Sequence, residues 1–228
     1  MNRLGFTAPF LVVVVFSIGA CSTTETPSVV EGGYSQDEIE YFAEVALGTE
    51  FGSASQRIRK WVGDVRIDVR GNPTEADEAA LNQVLIDLNA LIPDIEVRLD
   101  DNNPTTTLHF ARESDFSSLE PNYVPGNLGF FWVNWTGGGE IVRANILITT
   151  EGITPQERAH LIREELTQSL GLMRDSNRYS DSIFFQGWTD VTRYTDLDKA
   201  VIEMLYHPEI RPNMTRAQAL DVLTALGS

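Results

Sequence analysis

The stretch from Thr154 to Gly171 constrains the fold of this chain more than any other part of the sequence. Thr154 and Glu157 form a capping box around Pro155, and this combination predicts the start of a helix. Gly171 predicts the end of that helix, because glycine adopts a left-handed conformation at little cost. Four apolar residues between these ends recur at helical spacing and predict one buried face: Leu161, Ile162, Leu166 and Leu170.

A polar stripe runs along the same predicted helix. His160, Glu164 and Gln168 recur every four residues and therefore share one face. Two side chains at this spacing can hold one metal ion, and the residue after the first of them can activate a metal-bound water. Glu165 has that following position, and Arg174 lies in the segment beyond the helix, where a third ligand would come from. The pattern therefore has the spacing of a metal site, with side chains that are unusual ligands.

These residues resemble the zinc-protease motif H-E-x-x-H-x-x-G-x-x-H with its three histidines replaced. Other residues stand at the ligand positions: Glu164, Gln168 and Arg174. Glu165 keeps the general-base position, and Gly171 keeps the turn glycine. The run from Glu165 to Leu172 resembles the E-I-G-H-A-L-G-L segment of the metzincin branch. Asp175 follows the third ligand position directly, as in several metzincins.

Two later segments extend the resemblance. Residues 195–206 resemble the final metzincin helix, and residues 182–185 stand where a metzincin has its Met-turn, with Phe184 in place of methionine. The E-E-x-x-Q-x-L-G-L run is also similar to that of an uncharacterised family of secreted bacterial proteins. The resemblance covers about residues 55–212. It implies an α+β fold, a zincin-like (metzincin-type) mixed sheet with an active-site-type helix and a C-terminal helix.

The replaced ligands argue against the usual zinc ion. Zinc favours neutral imidazoles and thiolates in a tetrahedral set, whereas the guanidinium of Arg174 cannot bind a cation. We therefore expect no cofactor. One alternative keeps zinc through a displaced pair, His160 and Glu164. The other treats this stripe as a polar helix face with contacts between residues four apart.

Glu164 and Arg174 suggest a further hypothesis for the ligand positions. A carboxylate and a guanidinium form strong, planar ion pairs, so these two residues would bridge the gap that a metal spans in the enzyme, with Gln168 hydrogen-bonded between them. The alternative is that Glu164 and Arg174 are unrelated surface charges.

Glu165 also has two interpretations. As a general base without a metal, it would need a raised pKa, which a neighbouring carboxylate such as Glu164 or Asp175 would supply. As a structural residue, it would be a buried glutamate that hydrogen-bonds the sheet.

The N-terminus predicts export and a lipid anchor. Residues 1–20 have a basic start, a short apolar stretch and small residues at the end, as a signal peptide does. Small residues before Cys21, the single cysteine, resemble a bacterial lipobox, which implies acylation of Cys21 and attachment to the bilayer. Residues 21–34 predict a flexible tether and residues 35–228 a single domain. Ser22 favours the outer membrane, facing the periplasm; the alternative is an ordinary secretory signal.

The formal net charge of −16 excludes one class of partner. Binding to nucleic acid depends on Lys and Arg that neutralise phosphates, so we expect no nucleic-acid partner.

The remaining segments predict alternating strands and helices. Apolar spacing and turn residues predict the following elements: a helix after Ser35, a strand through Trp61, Val65, Ile67 and Val69, a helix from Thr74 to the residues before Pro93, strands at 95–99, 106–110, 129–134 and 141–149, and a helix at 214–226 capped by Thr215. We expect the strands that follow the first strand-helix-strand unit to be antiparallel. Alternation in the fourth strand would place Phe131, Val133 and Trp135 on one face and Phe130 and Trp132 on the other. These aromatic residues either line a cleft or pack in the core.

Three functions are compatible with these patterns. The first is an envelope-anchored lipoprotein whose degenerate metalloprotease-like domain is noncatalytic and binds a peptide or envelope protein. The second is an active hydrolase or metallopeptidase with an atypical site, in which Glu165 is the general base. The third is a purely structural envelope protein.

Overall fold

The computed structural model describes residues 33–48 and 56–227. Within these residues the chain forms the following helices and strands: α1 (Gln36–Ala46), β1 (Val65–Gly71), α2 (Glu75–Leu91), β2 (Val97–Leu99), β3 (Thr106–Ala111), α3 (Phe116–Leu119), β4 (Gly129–Trp135), β5 (Ile141–Thr149), α4 (Pro155–Gln168), α5 (Asp196–Tyr206) and α6 (Arg216–Leu226). The predicted α+β class, with a mixed sheet, an active-site-type helix and a C-terminal helix, is confirmed. The predicted signal peptide, Cys21 and most of the tether lie outside the described residues.

The longer helices begin where the sequence supplies a capping box. In each one, a serine or threonine side chain accepts a hydrogen bond from the third helical residue, whose own side chain accepts one from the cap: Ser35 with Glu38, Thr74 with Asp77, Thr154 with Glu157, Thr195 with Asp198, and Thr215 with Gln218. These contacts satisfy backbone N–H groups that a helix start leaves without partners. The helix starts are therefore determined by local sequence.

The five strands form one sheet in the order β2-β1-β3-β5-β4. Neighbouring strands run parallel throughout, except that β4 is antiparallel to β5. The sequence predicted antiparallel strands after the first strand-helix-strand unit, but β3 pairs in parallel with β5, not with its chain neighbour β4. As a result, β4 is the edge strand on that side of the described sheet.

Helix α4 packs beneath the edge of the sheet. It contacts β4, β5 and α2, while α1 contacts α5 and α6. The predicted apolar face of α4 is buried, and Leu161, Ile162, Leu166 and Leu170 belong to the main core. Among the described residues, no helix is both long and apolar enough to cross a bilayer.

The two faces of β4 pack against separate clusters. Phe131, Val133 and Trp135 contact the main core. Phe130 and Trp132 contact a smaller cluster that also holds the following side chains: Phe116, Tyr123 and Leu147. The predicted alternation is confirmed. These aromatic residues pack in the two clusters, and buried Phe130 also lines a cleft.

A buried ion pair joins α4 to α2. The Arg158 Nε donates to the Asp77 Oδ1 at 2.6 Å, and both side chains are less than a tenth exposed. The second oxygen of Asp77 accepts from the backbone and hydroxyl of Thr74 at the start of α2. One carboxylate therefore both caps α2 and fixes the position of α4.

We expect Asp77→Ala to lower the free energy of unfolding by about 3–5 kcal/mol, because Arg158 would stay buried without its charge partner. Glu78→Ala, at an exposed position of the same helix, should change it by less than about 0.5 kcal/mol. Urea unfolding of both variants measures the difference. A loss of under about 1 kcal/mol for Asp77→Ala would show that the pair does not hold α4 in place.

Candidate functional site

A cleft of about 380 Å³ lies between α4, the start of β4 and the segment 185–188. It brings five of the predicted site residues together: His160, Glu164, Glu165, Gln168 and Asp175. These side chains include three carboxylates and one imidazole, and within the described residues no lysine or arginine lines the cleft. The site is therefore polar and acidic.

The end of α4 sets the back of this cleft. Ser169 follows the last helical residue, and Gly171 has a positive φ of 125°. A side chain at this position would also collide with the backbone carbonyl of Arg59. Glycine is thus required here both by conformation and by space. This confirms Gly171 as the residue that turns the chain after α4.

His160 and Glu164 form a pair on the cleft side of α4. The His160 Nε2 lies 3.3 Å from the Glu164 Oε2. The other ring nitrogen, Nδ1, lies 2.7 Å from the carbonyl oxygen of Val191. Burial lowers the pKa of His160, but the hydrogen bond and charge of Glu164 outweigh it, so the net pKa is raised. The residue at the first ligand position is therefore engaged by a histidine one turn earlier.

Gln168 and Asp175 form a second pair. The Gln168 Nε2 donates a hydrogen bond to the Asp175 Oδ1. The residue at the second ligand position thus binds the residue that directly follows Arg174, the third ligand position. Burial, followed by the charge of Glu164, raises the pKa of Asp175 to about 6, while Gln168 and His160 act in the opposite direction. An aspartate with this pKa exchanges its proton close to neutral pH.

Arg174 lies outside the cleft, and the predicted ion pair with Glu164 is wrong. Its side chain is exposed and lines a groove beside α1, together with Glu40 and Glu44. The backbone N–H of Arg174 donates to the carbonyl of Val45 at 3.2 Å. The physical reason is the path of the chain, because Leu172 and Met173 enter the core and leave the next side chain directed towards α1.

Glu165 is buried, with 6% of its surface exposed. Its carboxylate lies so close to Gly129 that a Cβ on that glycine would collide with the Oε1. The general-base position is thus held against the backbone at the start of the edge strand β4. Sequence reasoning did not single out Gly129, although a glycine at the first position of a strand signals a close approach.

Phe184 is fully buried and does not line the cleft. The backbone N–H of Phe184 donates to the Ser182 Oγ at 3.1 Å. Ser182 in turn donates to the Asp198 Oδ1 on α5 at 2.6 Å. Ser182 therefore binds this segment to α5. The neighbouring Phe185 lines the cleft.

Trp188 lies at the rim of the cleft. More than half of its surface, 55%, is exposed, and the indole Nε1 donates to the Glu157 Oε1 at 2.8 Å. Sequence reasoning missed this residue, because a tryptophan in a segment without periodicity carries no signal of its location. Of the aromatic residues that line the cleft, Trp188 is exposed, Phe185 is partly buried and Phe130 is buried.

The donors do not fit the zinc ion that the metzincin resemblance implies. His160 and Glu164 adjoin, but within residues 33–48 and 56–227 no three His, Cys, Asp or Glu side chains converge to hold a metal. Gln168 and Arg174 at the other ligand positions have different contacts. That no cofactor is bound stays a prediction.

The sequence profile of one family, described as "Protein of unknown function (DUF2927)", matches residues 35–225. The chain therefore belongs to this family. No curated protein matches the chain.

Two of the solved structures to which the chain is similar are of myroilysin. The one titled "Crystal structure of myroilysin" is 10% identical with a TM-score of 0.46, and covers 73% of this chain and 93% of that chain. The one titled "Structure of Myroilysin" is 11% identical with a TM-score of 0.44, and covers 65% and 82% respectively.

The raised pKa of Asp175 predicts that this residue lowers the free energy of unfolding as the pH rises. In the unfolded chain an aspartate has a pKa of about 3.9. The folded protein favours the protonated form, so Asp175 costs no stability below about pH 4 and costs most above its folded pKa of about 6. Asp175→Asn keeps the acceptor for Gln168 and removes the charge. The free energy of unfolding of the variant minus that of the parent should therefore be larger at pH 8 than at pH 4.5, by about 1–3 kcal/mol.

Urea unfolding at both pH values measures this gain. His160 titrates in both proteins, so the difference between them reports mainly Asp175. Asp101→Asn, in an exposed turn, is the control and should show no such pH-dependent gain. An equal difference at pH 4.5 and pH 8 for Asp175→Asn would contradict the raised pKa.

Proposed function

We propose that this protein is an envelope-anchored lipoprotein whose degenerate metalloprotease-like cleft binds an extended peptide or a segment of a partner protein without cleaving it. The observation that carries the proposal is that the side chains at the three ligand positions have other contacts. Glu164 pairs with His160, Gln168 binds Asp175, and Arg174 lies in another groove. The side chains at the three ligand positions therefore have other contacts, and the cleft beside them has room for a ligand.

The edge strand β4 offers backbone groups to such a ligand. The N–H of Thr149 donates to the carbonyl of Leu128, and these residues are opposite each other in the register of β4 with β5. Because antiparallel strands alternate their bonding direction, residues 128, 130 and 132 bond β5, and Gly129 and Phe131 direct their backbone groups away from it. An extended peptide can add to this edge as a further strand.

The lining of the cleft favours a basic side chain on the bound segment. Among the described lining residues, the acidic side chains outnumber the basic ones, with Glu164, Glu165 and Asp175 against the single imidazole of His160. Trp188 at the rim has an exposed ring that can stack on a cation. A lysine or arginine entering from the edge of β4 would meet both features.

We expect Phe131→Pro to weaken peptide binding about three- to tenfold relative to Phe131→Ala, because proline removes an outward N–H while both variants lose the ring. Proline is tolerated at a position whose N–H faces away from the sheet. Binding to an array of random octapeptides that contain one lysine or arginine measures the effect, and thermal unfolding verifies that both variants fold. Equal affinities would show that β4 does not pair with the ligand.

One observation favours a second candidate, a metal-free hydrolase. Asp175, with a pKa of about 6, lies in the same cleft as Glu165 and could serve as an acid beside a base. The octapeptides that bind should stay intact during incubation with the parent protein, as mass spectrometry would show. Cleavage that disappears in Glu165→Gln would replace the binding function with hydrolysis.

The lipid anchor is proposed from the sequence around Cys21, and with it a location at the outer membrane, facing the periplasm. In bacteria fed an alkyne analogue of palmitate, we expect the parent protein to take up the label and Cys21→Ala to lose it entirely, because Cys21 is the residue that carries the lipid. Ser22→Ala should keep the label. A parent protein without label would favour an ordinary secretory signal.

A further inference from the structure

A second and larger groove lies on another part of the domain. Its volume is about 860 Å³, and it is formed by α2, α4, the segment 192–194 and the start of α5. None of its lining residues lines the cleft around His160 and Glu164. Its size falls within the range of about 300–1,000 Å³ that is usual for small-molecule sites.

Arg163 forms the buried part of this groove. Its side chain is only 2% exposed, its Nη2 lies 2.7 Å from the Asp87 Oδ2, and its guanidinium stacks over the ring of Tyr194 at 4.3 Å. The Nη1 is buried and has no hydrogen-bond partner in the described part of the chain. Buried polar groups are nearly always paired. Arg163 therefore lacks one acceptor at this position.

The charge of the groove is opposite to that of the whole chain. Arg163, Arg193 and Lys199 line it, against the single carboxylate of Asp87. Arg193 is exposed and makes no ion pair with any described residue. Lys199 contacts Asp196, whose side chain is 99% exposed. In a chain of net charge −16, this local excess of cations requires an explanation.

The rest of the lining is largely apolar. Val84 is buried, and Ala80, Leu91 and Ala159 are partly buried. Tyr194 closes the floor, with its hydroxyl 2.6 Å from the Thr167 Oγ1. The groove thus combines an apolar wall with a cluster of cations beside it.

We propose that this groove binds a small organic anion with an apolar body. Its carboxylate or phosphate head would lie between Arg193 and Lys199, above the Nη1 of Arg163, since a guanidinium fork matches the geometry of both heads. The apolar body would lie along Val84 and Leu91. The proposal is independent of peptide binding in the His160 cleft.

Isothermal titration calorimetry with octanoate tests the proposal. Octanoate should bind saturably to the parent protein. Arg193→Gln should weaken it about tenfold or more, because a charge-assisted contact to the ligand is lost from an exposed residue that makes no ion pair with a described residue. Arg143→Gln, at an exposed arginine of β5, is the matched control and should bind as the parent does. Equal binding by the two variants, or no saturable binding to the parent, would overturn the proposal.

Ligand comparisons and a direct readout separate the two parts of the site. 1-Octanol, which has the body without the charge, and propionate, which has the charge with little body, should each bind at least about tenfold more weakly than octanoate. Octyl phosphate should bind if the head recognition extends to phosphate, and its failure would restrict the site to carboxylates.

In nitrogen-15 spectra, octanoate should shift the guanidinium signals of Arg163 and Arg193 but not that of Arg143. Shifts confined to other arginines would place the ligand elsewhere and sink the proposal.

Discussion

The attachment of α4 to α2 by two ion pairs is the constraint on which the rest of the structure depends. Arg158 pairs with Asp77 near the start of α4, and Arg163 pairs with Asp87 one and a half turns later. Both arginines are almost fully buried, so their charges fix the rotation of the helix as well as its position. With α4 held on that side, the opposite stripe faces the edge strand and forms the acidic cleft.

The cleft holds residues at the sequence spacing of a metal site, but their side chains pair with one another. In a metal enzyme, one dication would attract side chains from the helix and from the segment after it. Here, a histidine, two carboxylates and an amide form two short local pairs instead, His160 with Glu164 and Gln168 with Asp175. The consequence is electrostatic: burial, followed by the negative charge of Glu164, raises the pKa of Asp175.

Local signals in the sequence were sufficient for the helix starts and for most of the sheet. Capping boxes, an alternating strand and the glycine at 171 each act within a few residues, so they can be identified without knowledge of the fold. The direction of Arg174 could not be predicted, because it follows from the burial of Leu172 and Met173 against distant elements. The contact of His160 with Val191 likewise depends on a segment thirty-one residues away. The parallel pairing of β3 with β5 is also long-range.

The contact between Gly129 and Glu165 links two positions that are far apart in the chain. The carboxylate occupies the space in which any larger residue at position 129 would place its first side-chain atom. A larger residue at position 129 is therefore accommodated only if the side chains of Glu165 and Leu161 move. Gly129 and Glu165 both line the cleft, so its shape depends in part on a residue that has no side chain of its own.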